Sequence, residues 1–144
     1  MSWIEEPNDG YDTVMLNDRY CMEDYLHGYC EYFAYALHQE LGYPMYKVYD
    51  SEAETDMALV HVFCINPNGE YVDVRGVIPN IWDLIEPYED FLSLEFAVIA
   101  PYVPSDWLTE PDKVGQDIIV SAKEYICGHR NLYAAEKYIE EDER

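Results

Sequence analysis

The tetrapeptide Asn66-Pro67-Asn68-Gly69 constrains the fold more than any other part of the chain. It separates two runs rich in β-formers, Ala58 to Ile65 and Glu70 to Arg75. Pro67 suits the first central position of a type I turn, Asn68 the second, and Gly69 the left-handed position that closes a bulge. A three-residue loop of this kind sets Asn66 opposite Glu70, Phe63 opposite Asp73 and His61 opposite Arg75. Opposed residues share a face and side chains alternate, so His61 and Asp73 fall diagonally on one face. A two-residue turn would shift the register by one and put them on opposite faces.

The segments around the hairpin point to an α+β domain. From Tyr29 to Leu41 the apolar positions Cys30, Phe33, Ala34, Leu37 and Leu41 recur every three or four residues, the mark of an amphipathic helix. Gly42 ends it and Pro44 follows. Met45 to Tyr49 reads as a strand, Asp50 to Asp56 as an exposed acidic loop, Asn80 to Ile85 as a short helix or turn, and Glu95 to Ala100 as a buried strand. Pro101, Pro104 and Pro111 punctuate a loop. Apolar positions from Val114 to Ile139 then predict one long C-terminal helix, about 112–140, bent near Gly128. The first ~20 residues look irregular, with a turn at Asn8-Asp9-Gly10. The expectation is a single domain over 1–144 with its core at about 25–100.

Composition narrows the function classes. The 144 residues carry 30 acidic and 8 basic side chains, a formal net charge of -22. Nucleic acids and anionic membranes are bound through basic patches, so direct binding to either is not expected. No apolar run approaches the ~18 residues that span a bilayer, and Met1-Ser2-Trp3-Ile4-Glu5-Glu6 lacks the pattern of an export signal. The expected location is cytoplasmic. There the four cysteines, Cys21, Cys30, Cys64 and Cys127, stay reduced, and their spacing gives no metal framework. No cofactor is implied.

Three residues then stand out as chemistry. Cys30 opens a helix, where unsatisfied amides favour a thiolate. His61 sits in an apolar strand, within reach of a proton acceptor's role. Asp73 is costly to bury in a strand without a donor, and His61 or Arg75 would supply one. Gly28 and Tyr29 before the cysteine, and Arg75 after the aspartate, are candidate substrate contacts. His27 is a rival imidazole, and His38 reads as a surface residue.

Gly28-Tyr29-Cys30-x-x-Phe33-Ala34, followed by His61-Val62-Phe63 and Tyr71-Val72-Asp73, resembles the papain-like thiol superfamily in its transglutaminase-like branch, which includes the arylamine N-acetyltransferases. The resemblance covers Tyr25 to Gly76. It implies a helix carrying the nucleophile packed on a small antiparallel sheet, with Cys30 as nucleophile, His61 as general base and acid, and Asp73 as the orienting carboxylate. It implies attack on the carbonyl of a protein or small amide or acyl substrate, giving hydrolysis, deamidation or transfer. The chain is much shorter than the acetyltransferases, and no Asn or Gln is obviously placed to complete an oxyanion hole. The acidic composition supports a different class: a small inhibitor or immunity protein, of the kind mobile elements such as phages encode, that covers a basic partner surface by charge mimicry. A triad retained only as scaffold is the third reading.

Overall fold

A computed structural model describes residues 14–52, 59–90 and 92–134. The expected turn at residues 8–10, most of the acidic loop after Asp50, and residues 135–140 of the expected C-terminal helix lie outside the described residues. The described elements form an α+β fold around one five-stranded antiparallel sheet. Helix α1 (Met22–His27) leads into α2 (Cys30–Leu41), followed by β1 (Met45–Asp50), β2 (Leu59–Ile65), β3 (Tyr71–Asp73), β4 (Gly76–Ile78) and α3 (Ile81–Ile85). Short 3-10 turns at Glu86–Tyr88 and Leu94–Phe96 precede β5 (Ala97–Pro101), then come α4 (Asp106–Thr109), α5 (Lys113–Gly128) and α6 (Arg130–Tyr133). The strand order is β4-β3-β2-β1-β5.

Alternation along the strands divides the interior into two layers. Val62 and Cys64 of β2, with Val72 and Val74, point toward α2 and pack with its buried Phe33, Ala34, Ala36 and Leu37. Helix α5 lies behind α2 and adds Ile118, Ala122 and Ile126. On the other face Val48, Phe63 and Ile78 meet Leu84, Ile85 and Leu92 from α3 and the chain after it. Helix α2 ends as its sequence predicts: Gly42 is left-handed at φ 77° and its amide closes on His38 O at 2.9 Å.

The Asn66–Glu70 hairpin takes the bulged form. The Asn66 amide donates to Glu70 O and the Gly69 amide to Asn66 O, both at 2.9 Å, with Gly69 at φ 82°. Ile65 pairs with Tyr71 and Cys64 with Val72, the register expected from the loop. The strand after it is shorter than expected, because Asp73-Val74-Arg75-Gly76 is itself a tight turn. Asp73 pairs with Gly76 in a second hairpin that adds β4 at the sheet edge. The expected His61–Arg75 pair is therefore not formed. Gly76 sits at φ 112°, and a Cβ there would meet Leu132 O at 3.2 Å.

The C-terminal helix is also corrected: it is not continuous. Helix α5 stops at Gly128, His129 leaves helical geometry at φ -135° and ψ 42°, and α6 restarts at Arg130. The break swings Tyr133 into the core, where its hydroxyl donates to Val74 O at 2.7 Å and its carbonyl accepts from Tyr43 OH at 3.0 Å. Asp112 caps α5 by accepting from the Gly115 amide at 2.8 Å. Gly115 is small for a packing reason, since a Cβ would stand 3.0 Å from Pro111 Cβ and 3.5 Å from Tyr32.

Candidate functional site: a buried imidazole between a carboxylate and a phenol

Asp73 organises the site from the turn that ends β3. Its Oδ1 accepts from the Arg75 amide at 2.9 Å and from Arg75 Nε at 3.1 Å, and its Oδ2 accepts from Arg75 Nη2. Oδ2 also lies 2.8 Å from His61 Nε2. Burial alone would raise this carboxyl's pKa, but the Arg75 charge and the hydrogen bonds from His61 and Arg75 outweigh it and hold the pKa well below the usual carboxylate range. Asp73 is therefore ionised, and Nε2 is the nitrogen that donates to it.

Arg75 is committed to this clamp. Besides Asp73, its guanidinium donates to the carbonyls of Asp83 and Leu84, both at 3.0 Å, which joins the turn to α3. Its side chain is almost fully enclosed, so its work is to hold the carboxylate rather than to present a charge at the surface.

His61 is fully buried and shares its face of the sheet with Phe63 and Tyr88. Burial pulls its pKa below the ordinary value, the Asp73 hydrogen bond and charge raise it, and the Arg75 charge lowers it. The second ring nitrogen, Nδ1, stands 2.9 Å from Tyr88 OH. Tyr88 is itself buried and donates to Leu26 O of α1 at 2.6 Å. Both imidazole nitrogens thus have a polar atom at hydrogen-bond distance, Asp73 at Nε2 and Tyr88 at Nδ1.

Cys30 begins α2 and packs at the margin of the other layer. Even-numbered residues of β2 bond toward β3, as Asn66 and Cys64 do, so the Val62 amide would next seek Val74 O. That carbonyl accepts from Tyr133 OH at 2.7 Å, and the Val62 amide acts on the Cys30 thiol to favour its ionised form. Burial pushes the Cys30 pKa up to about 12, while the Val62 and Glu31 amides oppose the rise. The resting sulfur is a protonated thiol. The Asp73 charge adds to the rise at Cys30, and a negative charge on Cys30 would in turn raise the pKa of Tyr88.

The remaining sequence candidates are placed as follows. Gly28 caps α1 at φ -139°, and a Cβ there would stand at an ordinary 3.7 Å from Asp24 O, so space alone does not require glycine. Tyr29 packs edge-on against Tyr20, Tyr25 and Tyr32. His27 is exposed and sets its ring edge-on to Tyr88 at 5.3 Å. His38 bonds Tyr43 O through Nδ1 at 2.8 Å. Cys64 faces away from His61, its thiol donating to Ala34 O at 3.3 Å, and Cys127 lies on α5 against Glu40. Sequence reasoning did not single out Tyr88, which is one of 15 tyrosines with no motif around it.

Among the described residues no group of three or more His, Cys, Asp or Glu side chains is placed to hold a metal ion. No described helix is long and apolar enough to cross a membrane. Comparison with protein families, curated proteins and solved structures finds no match for this chain.

Proposed function

We propose that this protein performs thiol-dependent acyl chemistry of the papain-like, transglutaminase-like kind, with Cys30 as nucleophile, His61 as general base and Asp73 as the group that orients it. The observation that carries the reading is the buried pairing of His61 Nε2 with Asp73, itself clamped by Arg75. A carboxylate on Nε2 fixes the tautomer in which Nδ1 holds the lone pair, which is the state a general base needs. The thiol stands at the first residue of α2, beside the Val62 and Glu31 amides, where a developing negative charge is stabilised.

The Cys30 pKa makes this a general-base mechanism rather than one starting from a free thiolate. As the sulfur attacks the substrate carbonyl carbon, its proton passes to His61 Nδ1, and Asp73 stabilises the imidazolium. The carbon–sulfur bond forms, the bond to the amine or thiol leaving group breaks, and Nδ1 returns the proton to that group. Water, or an acceptor amine, then attacks the thioester, giving its proton to Nδ1. The acyl product leaves and the thiol is reprotonated.

The test is turnover of an activated ester and a small thioester. Cys30→Ala is expected to abolish turnover, and His61→Ala to lower it by about 10²–10⁴-fold. Turnover that survives in Cys30→Ala contradicts the reading.

A second reading, as an acidic protein that covers a basic partner surface, is favoured by one surface feature. Trp82 is 66% exposed. It borders a cavity of about 330 Å³ lined also by Asp83, Glu86, Glu89 and Leu92. An exposed indole ringed by carboxylates suits a guanidinium or ammonium side chain. Pull-down of an arginine-rich peptide, lost in Trp82→Ala and at high salt, supports it; capture indifferent to both counts against it.

A further inference from the structure

Resting on the thiol-site reading above, we infer that Tyr88 is a positioning residue that holds the general base in an idle state, and that the site becomes competent when the Tyr88 hydroxyl leaves His61 Nδ1. The phenol oxygen lies between two partners, Leu26 O at 2.6 Å and His61 Nδ1 at 2.9 Å. It owns one proton. If that proton points to Nδ1, the lone pair that would accept the thiol proton is occupied. If it points to Leu26, the contact with Nδ1 is a hydrogen bond only when Nδ1 itself carries a proton, and then no lone pair exists. With Nε2 committed to the ionised Asp73, Nδ1 is the nitrogen left to take a proton, and wherever the phenol proton points the Tyr88 oxygen at 2.9 Å occupies the position from which a thiol would deliver it.

The surroundings make this contact a built feature. Leu26 lies in the last turn of α1, whose carbonyls lack helical partners, so the phenol satisfies a group that the helix leaves open. Cys30 is the third residue after α1. The Tyr88 hydroxyl thus ties the base to the segment that delivers the nucleophile. The Tyr88 ring is tilted over His61 with centroids 4.9 Å apart, with the exposed His27 at its edge. Burial raises the phenol's pKa far above its ordinary value, so the lock is released by movement and not by ionisation. A substrate that displaces the hydroxyl would uncover Nδ1, and chemistry would begin only with substrate in place.

The experiment is site-resolved alkylation of the full chain with iodoacetamide, each cysteine followed by peptide mass spectrometry, in wild type, Tyr88→Phe, His61→Ala and the double variant. Tyr88→Phe is expected to raise the Cys30 rate near neutral pH by at least about ten-fold, with the gain absent in the double variant and Cys64 unchanged. An unchanged Cys30 rate, a gain that persists without His61, or a parallel rise at Cys64 from general loosening would each overturn the lock. Should Tyr88→Phe not fold, the histidine ring nitrogens of wild type are read by NMR across pH. A hydrogen-bonded Nδ1 that does not titrate as a free imidazole supports the lock, and a His61 that titrates freely overturns it. Cys30-dependent ester turnover alongside a silent Tyr88→Phe removes the lock and leaves the thiol-site reading standing. Loss of Cys30-dependent turnover in wild type and Tyr88→Phe alike removes both.

Discussion

At the scale of single residues, Asp73 carries more than any other side chain, because one carboxylate serves a turn, an arginine and an imidazole. Replacing it with Asn keeps the shape but leaves the Arg75 guanidinium buried against a neutral amide. Asp73→Asn is expected to cost about 3–5 kcal/mol in urea unfolding, and a loss within experimental error would show that the clamp is incidental. The pH dependence has a definite sign. The folded-state pKa of Asp73 lies below its ordinary value of 3.8, so its contribution to stability is full above that value and is lost as pH falls from about 4 downward. Wild type should therefore lose stability over that acid range more steeply than Asp73→Asn. The pairing of Asp73 with His61 was legible in the sequence, since the loop chemistry of Asn66 to Gly69 fixed their shared face. The engagement of Nδ1 by Tyr88 was not legible, because it joins residues 27 positions apart and no periodicity marks one tyrosine among many.

At the scale of elements, helix α2 and the first hairpin follow from local rules: a three-and-four stripe ended by Gly42, and a bulged turn set by Gly69. What local rules missed was where neighbouring chain intervenes. Residues 70–75 read as one strand, yet Asp73 and Gly76 are also the outer residues of a tight turn, and packing under Leu132 selects the turn. The apolar spacing after residue 112 reads as one helix, but Tyr133 must leave that spiral to reach Val74 and Tyr43. The two positive-φ glycines of the paired hairpins give a matched test. Gly69 has open space around its missing Cβ, whereas Gly76 combines its positive φ with the Leu132 carbonyl. Gly69→Ala is expected to cost about 1–2 kcal/mol and Gly76→Ala more, by chemical denaturation. Equal losses would mean that the contact with α6 contributes little.

At the scale of the whole molecule, a net charge of -22 opposes compaction through self-repulsion. Raising sodium chloride from about 0.01 M to about 0.15 M screens that repulsion, so the thermal midpoint should rise. A midpoint that falls would mean that attractive pairs such as Arg19 with Asp117 dominate the balance. The sheet separates the α2 layer, against which Cys30 packs, from the layer holding His61. The central proposal is that Cys30 and His61 act as one chemical unit. It is tested most directly by trapping the acyl-enzyme with an activated ester and locating the acyl group by peptide mass spectrometry. The account predicts a thioester on Cys30 in wild type that is lost in Cys30→Ala and much reduced in His61→Ala. Acyl groups spread over Cys21 and the exposed Cys127, with Cys30 unmodified, would contradict it.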